Sequence, residues 1–404
     1  MHDARPPTLL FYCQHSLGIG HLTRSFALAR ALTPHFRVVF LNGGRLPDGV
    51  AVPGGVTCVD LPPLGMDDGH TVVSRDAAID VGAARERRRR LIELAVAHTR
   101  PDVLLVELFP FGRKKFAGEI LPMIRAARQQ GARVACSLRD ILVDARPDQQ
   151  HHDDRARWLA DRYFDAVIVH SDPAFAQLED TFRPRRALRT PVWHSGFVVP
   201  QRQLDAPAPR GDHVLVSAGG GIVGAPLFAA ALAAHRASGV PMRIVAGPFL
   251  PEPQWQALQR DAADLPGVTL VRHVPDLAAE MRSARASISQ CGYNTALDLV
   301  VSGVPALVVP YGTATENEQR QRAQRLAALG AVQCLVAEPP TAAALLPALQ
   351  ALLRFEPQPA ALALDGARRS ALLLAQLAAD AAPPQHGSGR SHRAGPDREH
   401  ACAA

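Results

Sequence analysis

The residues best suited to chemistry fall in three loops. The first, Ser16-Leu17-Gly18-Ile19-Gly20-His21, lies between a strand-like run and an amphipathic helical one. Gly18 and Gly20 let the backbone turn sharply and approach a ligand, and the helix that follows aims its first amides at an anion. His21 stands where an imidazole can take a proton from an attacking hydroxyl. The plainer alternative is a helix-start histidine satisfied by backbone. GxGH lacks the third glycine of the dinucleotide fingerprint, and no acidic residue closes the second strand, which disfavours hydride transfer.

The second loop, Ser217-Ala218-Gly219-Gly220-Gly221, can cradle a phosphate with backbone amides. The third is the most specific and runs from Ser289 to Asp298, then through Gly303-Val304-Pro305 to Glu316-Asn317-Glu318-Gln319. Gly292 permits close approach, and Asn294 and Thr295 bring donors to the positive end of a helix. Asp298, one turn on, can accept from a ribose diol. Glu316, Asn317, Glu318 and Gln319 open the helix after the next strand, where they can read sugar hydroxyls. Val274, following the run Val268 to Arg272, and Ser289 are counted with this donor set. Glu107 and Arg139-Asp140 stand at two more strand ends. Glu107 and Asp140 join His21 as catalytic candidates, with an ion pair or helix cap as their alternative.

Strands alternating with helices must position these loops. Strand candidates in the first half are Thr8 to Cys13, Arg37 to Leu41, Val56 to Val59, Val103 to Val106, Arg133 to Ser137, Ala166 to Val169 and Ala187 to Thr190. A long helix is expected over Arg75 to His98. The pattern pauses over residues 200–211, which hold three prolines and read as a linker. It restarts with His213 to Ser217, Met242 to Val245, Val268 to Arg272, Ala286 to Ser289 and Ala306 to Val309. The fold class is therefore α/β: two doubly wound parallel sheets in sequence, each with its ligand crevice at the carboxyl ends of its strands. If the sheets face each other, the site is the cleft between them.

Composition bounds the rest. The 404 residues suit two domains, and 47% hydrophobic residues provide each with a core. Six scattered cysteines without a CxxC argue against a zinc site or disulfide framework and favour a cytoplasmic location. No signal peptide or stretch of 18 apolar residues is read, so membrane contact would be peripheral, at the inner face. The net charge of +6 comes with no aromatic-plus-basic module, so no nucleic-acid partner is expected. Arg85 to Arg90 reads as a solvated helix face, with lipid contact as the sharper alternative. Asp67-Asp68 and Asp153-Asp154 read as solvated charges, and no DxD is placed to hold a metal. The segment from Pro383 onward is too polar to dock, and removing it is expected to leave activity and stability nearly unchanged.

The three loops, in this order, resemble glycosyltransferase family 28. More narrowly, Val106-Glu107-Leu108-Phe109-Pro110-Phe111-Gly112-Arg113 and Ser137-Leu138-Arg139-Asp140-Ile141 look typical of a bacterial group of predicted glycosyltransferases related to it. The resemblance spans roughly residues 8 to 375 and implies a GT-B fold. It assigns residues 1–199 to the acceptor, 212–359 to a nucleotide-sugar donor, and 360–382 to a helix returning to the first domain. It also implies that the diphosphate lies against Gly219 to Gly221 and Gly292 to Thr295, with no metal and no cofactor. Asp298 stands where the family has a longer glutamate, and Glu318-Gln319 fall near its sugar-reading pair. The reaction implied is inverting transfer of a hexose-type sugar, UDP being the expected carrier, to an acceptor hydroxyl on a lipid-linked or small-metabolite acceptor. The alternatives are a sugar-nucleotide 2-epimerase, which needs acidic groups in the cleft, and a non-catalytic nucleotide-sugar-binding protein.

Overall fold

A computed structural model describes residues 5–15, 20–47, 50–67, 71–200 and 210–380. Gly18, most of the linker reading and the polar C-terminal segment lie outside the described residues. The first half runs β1 (Thr8–Cys13), α1 (Gly20–Leu32), β2 (Arg37–Asn42), β3 (Val56–Asp60) and an antiparallel hairpin of β4 (Leu64–Met66) and β5 (Val72–Ser74). It continues through α2 (Val81–Thr99), β6 (Val103–Glu107), α3 (Ala117–Gln129), β7 (Arg133–Arg139), α4 (Gln149–Tyr163), β8 (Ala166–His170) and β9 (Val192–His194). The second half holds β10 (Val214–Ser217), α5 (Ala225–Ser238), β11 (Met242–Val245), α6 (Glu252–Ala262), β12 (Val268–Val271), α7 (Leu277–Ser283) and β13 (Ala286–Ser289). It closes with α8 (Tyr293–Ser302), β14 (Ala306–Val308), α9 (Glu318–Ala328), β15 (Gln333–Cys334), α10 (Ala342–Leu352) and α11 (Gly366–Ala379).

Two parallel sheets result, ordered β3-β2-β1-β6-β7-β8-β9 and β12-β11-β10-β13-β14-β15. Their central strands are apolar along their length, as in the fully buried Thr8–Cys13, because helices cover both faces. In each sheet the strand order reverses beside the first strand, between β1 and β6 and between β10 and β13. The loops that leave these four strand ends open a crevice there, and all three chemistry-bearing loops begin at them.

The halves touch through both polar and apolar groups. Ile141, Phe175 and Phe197 of the first half share a buried cluster with Tyr293, Ala296 and Leu297 of the second. The two chain crossings run side by side: Phe197 N–H donates to the Ala363 carbonyl at 2.7 Å, and Gly366 N–H to the Phe197 carbonyl at 3.0 Å. Gly196 sits there at φ +84°, and a Cβ on it would lie 2.8 Å from the Ala363 oxygen. Beyond the crossing, α11 buries Ala371, Leu374 and Leu377 against the α1 face of the first sheet.

Several sequence expectations are corrected. Residues 187–190 form no strand, and the edge strand is Val192–His194. The amides of Arg183, Arg185, Arg189 and Thr190 are instead taken by the carboxylates of Asp153, Asp154 and Asp161. Asp153 is thus buried rather than solvated. Helix α2 begins later than expected, because the Asp80 carboxylate accepts from the Gly82 and Ala83 amides and caps it. The arginine run is only in part a solvated face. Arg88 is fully buried, donating to Glu119, to Gln14 and to the Gly43 and Pro62 carbonyls.

Candidate active site

The crevices of the two sheets meet in one cavity of about 470 Å³. On the first-sheet wall, α1 opens at Gly20 and puts His21 in its first turn. Strand β6 ends on Glu107, which is completely buried. The His21 Nδ1 lies 2.6 Å from Glu107 Oε1. One helical turn from His21, Arg24 donates through Nη2 to the same carboxylate oxygen, and Arg113 lies 3.5 Å from Glu107 Oε2. Burial alone would raise the Glu107 pKa, but His21, Arg113 and Arg24 hold it well below the usual carboxylate range. His21 is pushed down to about 3, chiefly by burial, with the two guanidiniums adding to the effect and Glu107 opposing it. The imidazole is therefore neutral at physiological pH. Its Nδ1–H donates to Glu107, which leaves Nε2 as the basic nitrogen.

The second-sheet wall is made largely of backbone. Helix α8 starts after Gly292 with no side chain capping it, so its first amides stay open toward the cavity. The loop after β10 packs against the loop after β11 at backbone distance. Gly221 has φ +92°, and a Cβ there would lie 2.3 Å from the Ala246 oxygen. Only glycine fits that approach. Asp298, one turn into α8, is buried and lines the cavity, as do Val274 and Pro275 after β12. Gln319 accepts on its Oε1 from the Cys291 and Tyr311 amides, which fixes its side chain at the cavity edge.

The cavity brings together Gly20, His21, Gly219, Gly220, Gly221, Val274, Gly292, Asn294, Thr295, Asp298, Glu316, Glu318 and Gln319. Ser289 is buried beneath it, and its hydroxyl does not line it. Asn317 faces the other way and donates through Nδ2 to Asp144 at 2.7 Å. Glu107 lies behind His21 rather than on the cavity. Asp140 is also out of reach: it is buried in a two-pronged ion pair with Arg322 at 2.7 and 2.8 Å. Burial of a full carboxylate–guanidinium pair occupies both oxygens, so Asp140 ties the halves together instead of serving as a base.

Arg24 and Tyr293 were not singled out from the sequence as site residues. The Arg24 guanidinium lies 5.3 Å from the Tyr293 ring centroid, and the Tyr293 hydroxyl donates to the His170 carbonyl and accepts from the Val198 amide. Asn294 Nδ2 also crosses the cleft, donating to the Gly20 carbonyl at 3.2 Å. The start of α8 is thereby fixed to the start of α1. An arginine on the inward face of α1, among Leu22, Phe26 and Ala29, was the available signal for Arg24.

Residues 242–376 match the family described as glycosyltransferase family 28 C-terminal domain. Over 354 residues, 85% of each chain, the protein is 32% identical to the UDP-N-acetylglucosamine--N-acetylmuramyl-(pentapeptide) pyrophosphoryl-undecaprenol N-acetylglucosamine transferase of Rhodospirillum centenum. The chain belongs to glycosyltransferase family 28. Among solved structures, a UDP-glucosyltransferase from Polygonum tinctorium aligns with a TM-score of 0.61 at 18% identity, covering 93% of this chain and 99% of that one. Acinetobacter baumannii MurG aligns with a TM-score of 0.53 at 19% identity, covering 94% and 95%. These likenesses establish the GT-B fold, and family membership makes the protein a glycosyltransferase. Among the described residues no helix is long and apolar enough to cross a membrane.

Proposed function

We propose that the protein is an inverting glycosyltransferase that moves a hexose-type sugar from UDP to an acceptor hydroxyl without a metal. One observation carries this reading. A neutral imidazole with a free Nε2 faces, across one cavity, an uncapped helix start and a glycine loop. The acceptor hydroxyl attacks the anomeric carbon while His21 Nε2 takes its proton, and Glu107 holds the ring in the required tautomer. The bond to the diphosphate oxygen breaks on the opposite face of the sugar, and its growing charge meets the α8 amides and the Gly219–Gly221 backbone. Fixed amides of this kind can do the work a divalent cation does in other transferases. Among the described residues no three metal-ligating side chains are grouped. Asp298 reads the ribose and Val274 lies against the base. The donor names of the family relative and of the plant glucosyltransferase support UDP as the carrier. The acceptor half is the first sheet, and the lipid-linked acceptor named for the relative is the first class to try.

Titration calorimetry with UDP, followed by product analysis with UDP-sugars in the presence of chelator, tests the proposal. Binding of UDP and chelator-resistant turnover are expected. No binding of UDP, or activity abolished by chelation, would reject it. An epimerised UDP-sugar formed without acceptor would favour the isomerase instead.

A further inference from the structure

At the sugar end of the cavity, two charged residues from opposite halves close on each other. Arg139, the last residue of β7, donates through Nη1 to Glu318 Oε1 at 2.9 Å, and its Nη2 faces Oε2. Both line the cavity, and their side chains are 17% and 18% exposed. The Arg139 Nε is buried without a partner. The pair is held in place from behind. Asn317, just before α9, and Gln321, in its first turn, both donate to Asp144, and Arg322 is locked to Asp140. Beside the pair stand Glu316 and the fixed amide of Gln319. Arg24, the other arginine lining the cavity among the described residues, is engaged by Glu107.

A guanidinium in this position is the group that would recognise a sugar carboxylate, through a forked pair of hydrogen bonds. Glu318 already occupies that fork. A sugar hydroxyl can share the Glu318 oxygens as a donor, but a second carboxylate would meet Glu316 and Glu318, while both described arginines that line the cavity are already held by carboxylates. We propose that the Arg139–Glu318 pair is a charge filter that admits neutral donor sugars and excludes uronic acids. The inference rests on reading the cavity as the UDP-sugar site. Exclusion of this kind works by denying the wrong ligand a partner rather than by improving the right one.

The test is calorimetric binding of UDP, UDP-glucose, UDP-N-acetylglucosamine and UDP-glucuronate to the full chain and its variants. The wild type is expected to bind the better neutral sugar at least about tenfold more tightly than UDP-glucuronate, the scale of one charge-assisted contact. Glu318→Gln frees the guanidinium and should narrow or reverse that ratio by about tenfold. Arg139→Met added to Glu318→Gln should remove the gain for UDP-glucuronate, an outcome a merely structural pair would not produce. Glu318→Ala, measured alongside, should shift the ratio in the same direction as Glu318→Gln. A wild-type ratio near one, or a ratio that neither Glu318 variant moves, would overturn the filter. Failure of the wild type to bind UDP itself would contradict the donor-site reading instead.

Discussion

The two walls of the cleft handle charge by opposite means. The second-sheet wall offers backbone: an uncapped α8, glycines at positive φ, and loops packed at main-chain distance. Its geometry is set once the chain folds and does not depend on protonation. The first-sheet wall offers buried side chains, with two arginines and a histidine converging on one carboxylate. Its properties depend on which of those groups carries a proton. A site that must bind a diphosphate over a wide range of conditions is well served by amides, and a site that must accept a proton needs a group whose basicity is set by its neighbours. The contrast predicts that damage to one wall should appear in binding and damage to the other in rate or acid sensitivity.

The largest effect is expected where the walls are joined. Asp140→Ala leaves the buried Arg322 guanidinium unpaired and should cost about 3–5 kcal/mol of stability, read from denaturant midpoints. A loss confined to activity at full stability would mean that Asp140 works on substrate after all. Next comes Asp298→Ala on the backbone-built wall. It should weaken UDP binding by about 1–3 kcal/mol and raise donor KM more than it lowers kcat. A pure kcat effect would break the comparison.

A further effect is one of pH. His21 and His170 are both held down to about 3 by burial, below their ordinary value near 6.5. Above that ordinary value both are neutral in either state. Between it and about 3 the unfolded chain binds protons that the folded chain does not, so stability should fall as pH drops through this window. Both groups belong to the first half, His21 on α1 and His170 at the end of β8. Urea midpoints at pH 8 and pH 5 should therefore differ, and His170→Gln should reduce the difference. A midpoint that rises on acidification would contradict the buried, neutral assignment of these rings.

Much of this arrangement was legible in the sequence for a physical reason. Parallel strands covered on both faces are runs of apolar residues such as Leu9 to Cys13 or Val214 to Val216, and the glycine loops fall at their ends. Five strand ends of the first half run further than expected, whereas β12 and β14 of the second stop one residue short. Asn42, Asp60, Glu107, Arg139 and His170 are polar, yet they complete β2, β3, β6, β7 and β8. A polar residue at the carboxyl edge of a sheet finds side-chain partners there and need not end the ladder. What periodicity cannot show is who those partners are. Arg322 meets Asp140, Asn317 meets Asp144 and Tyr293 meets His170 across more than a hundred residues of chain. Each pair depends on how the two halves sit together, and no local pattern encodes that. Arg88 misled for a related reason: a run of arginines looks uniformly solvated until one of them is given a buried glutamate.

The central claim is that His21 acts on the acceptor's proton while the donor is held by the opposite wall. His21→Ala, assayed against one donor with kcat, donor KM and UDP affinity measured together, tests it most directly. Donor KM and UDP affinity should hold while kcat falls by about 10²-fold or more. Loss of donor affinity with kcat retained would make His21 a phosphate contact and would contradict the division of labour between the two walls.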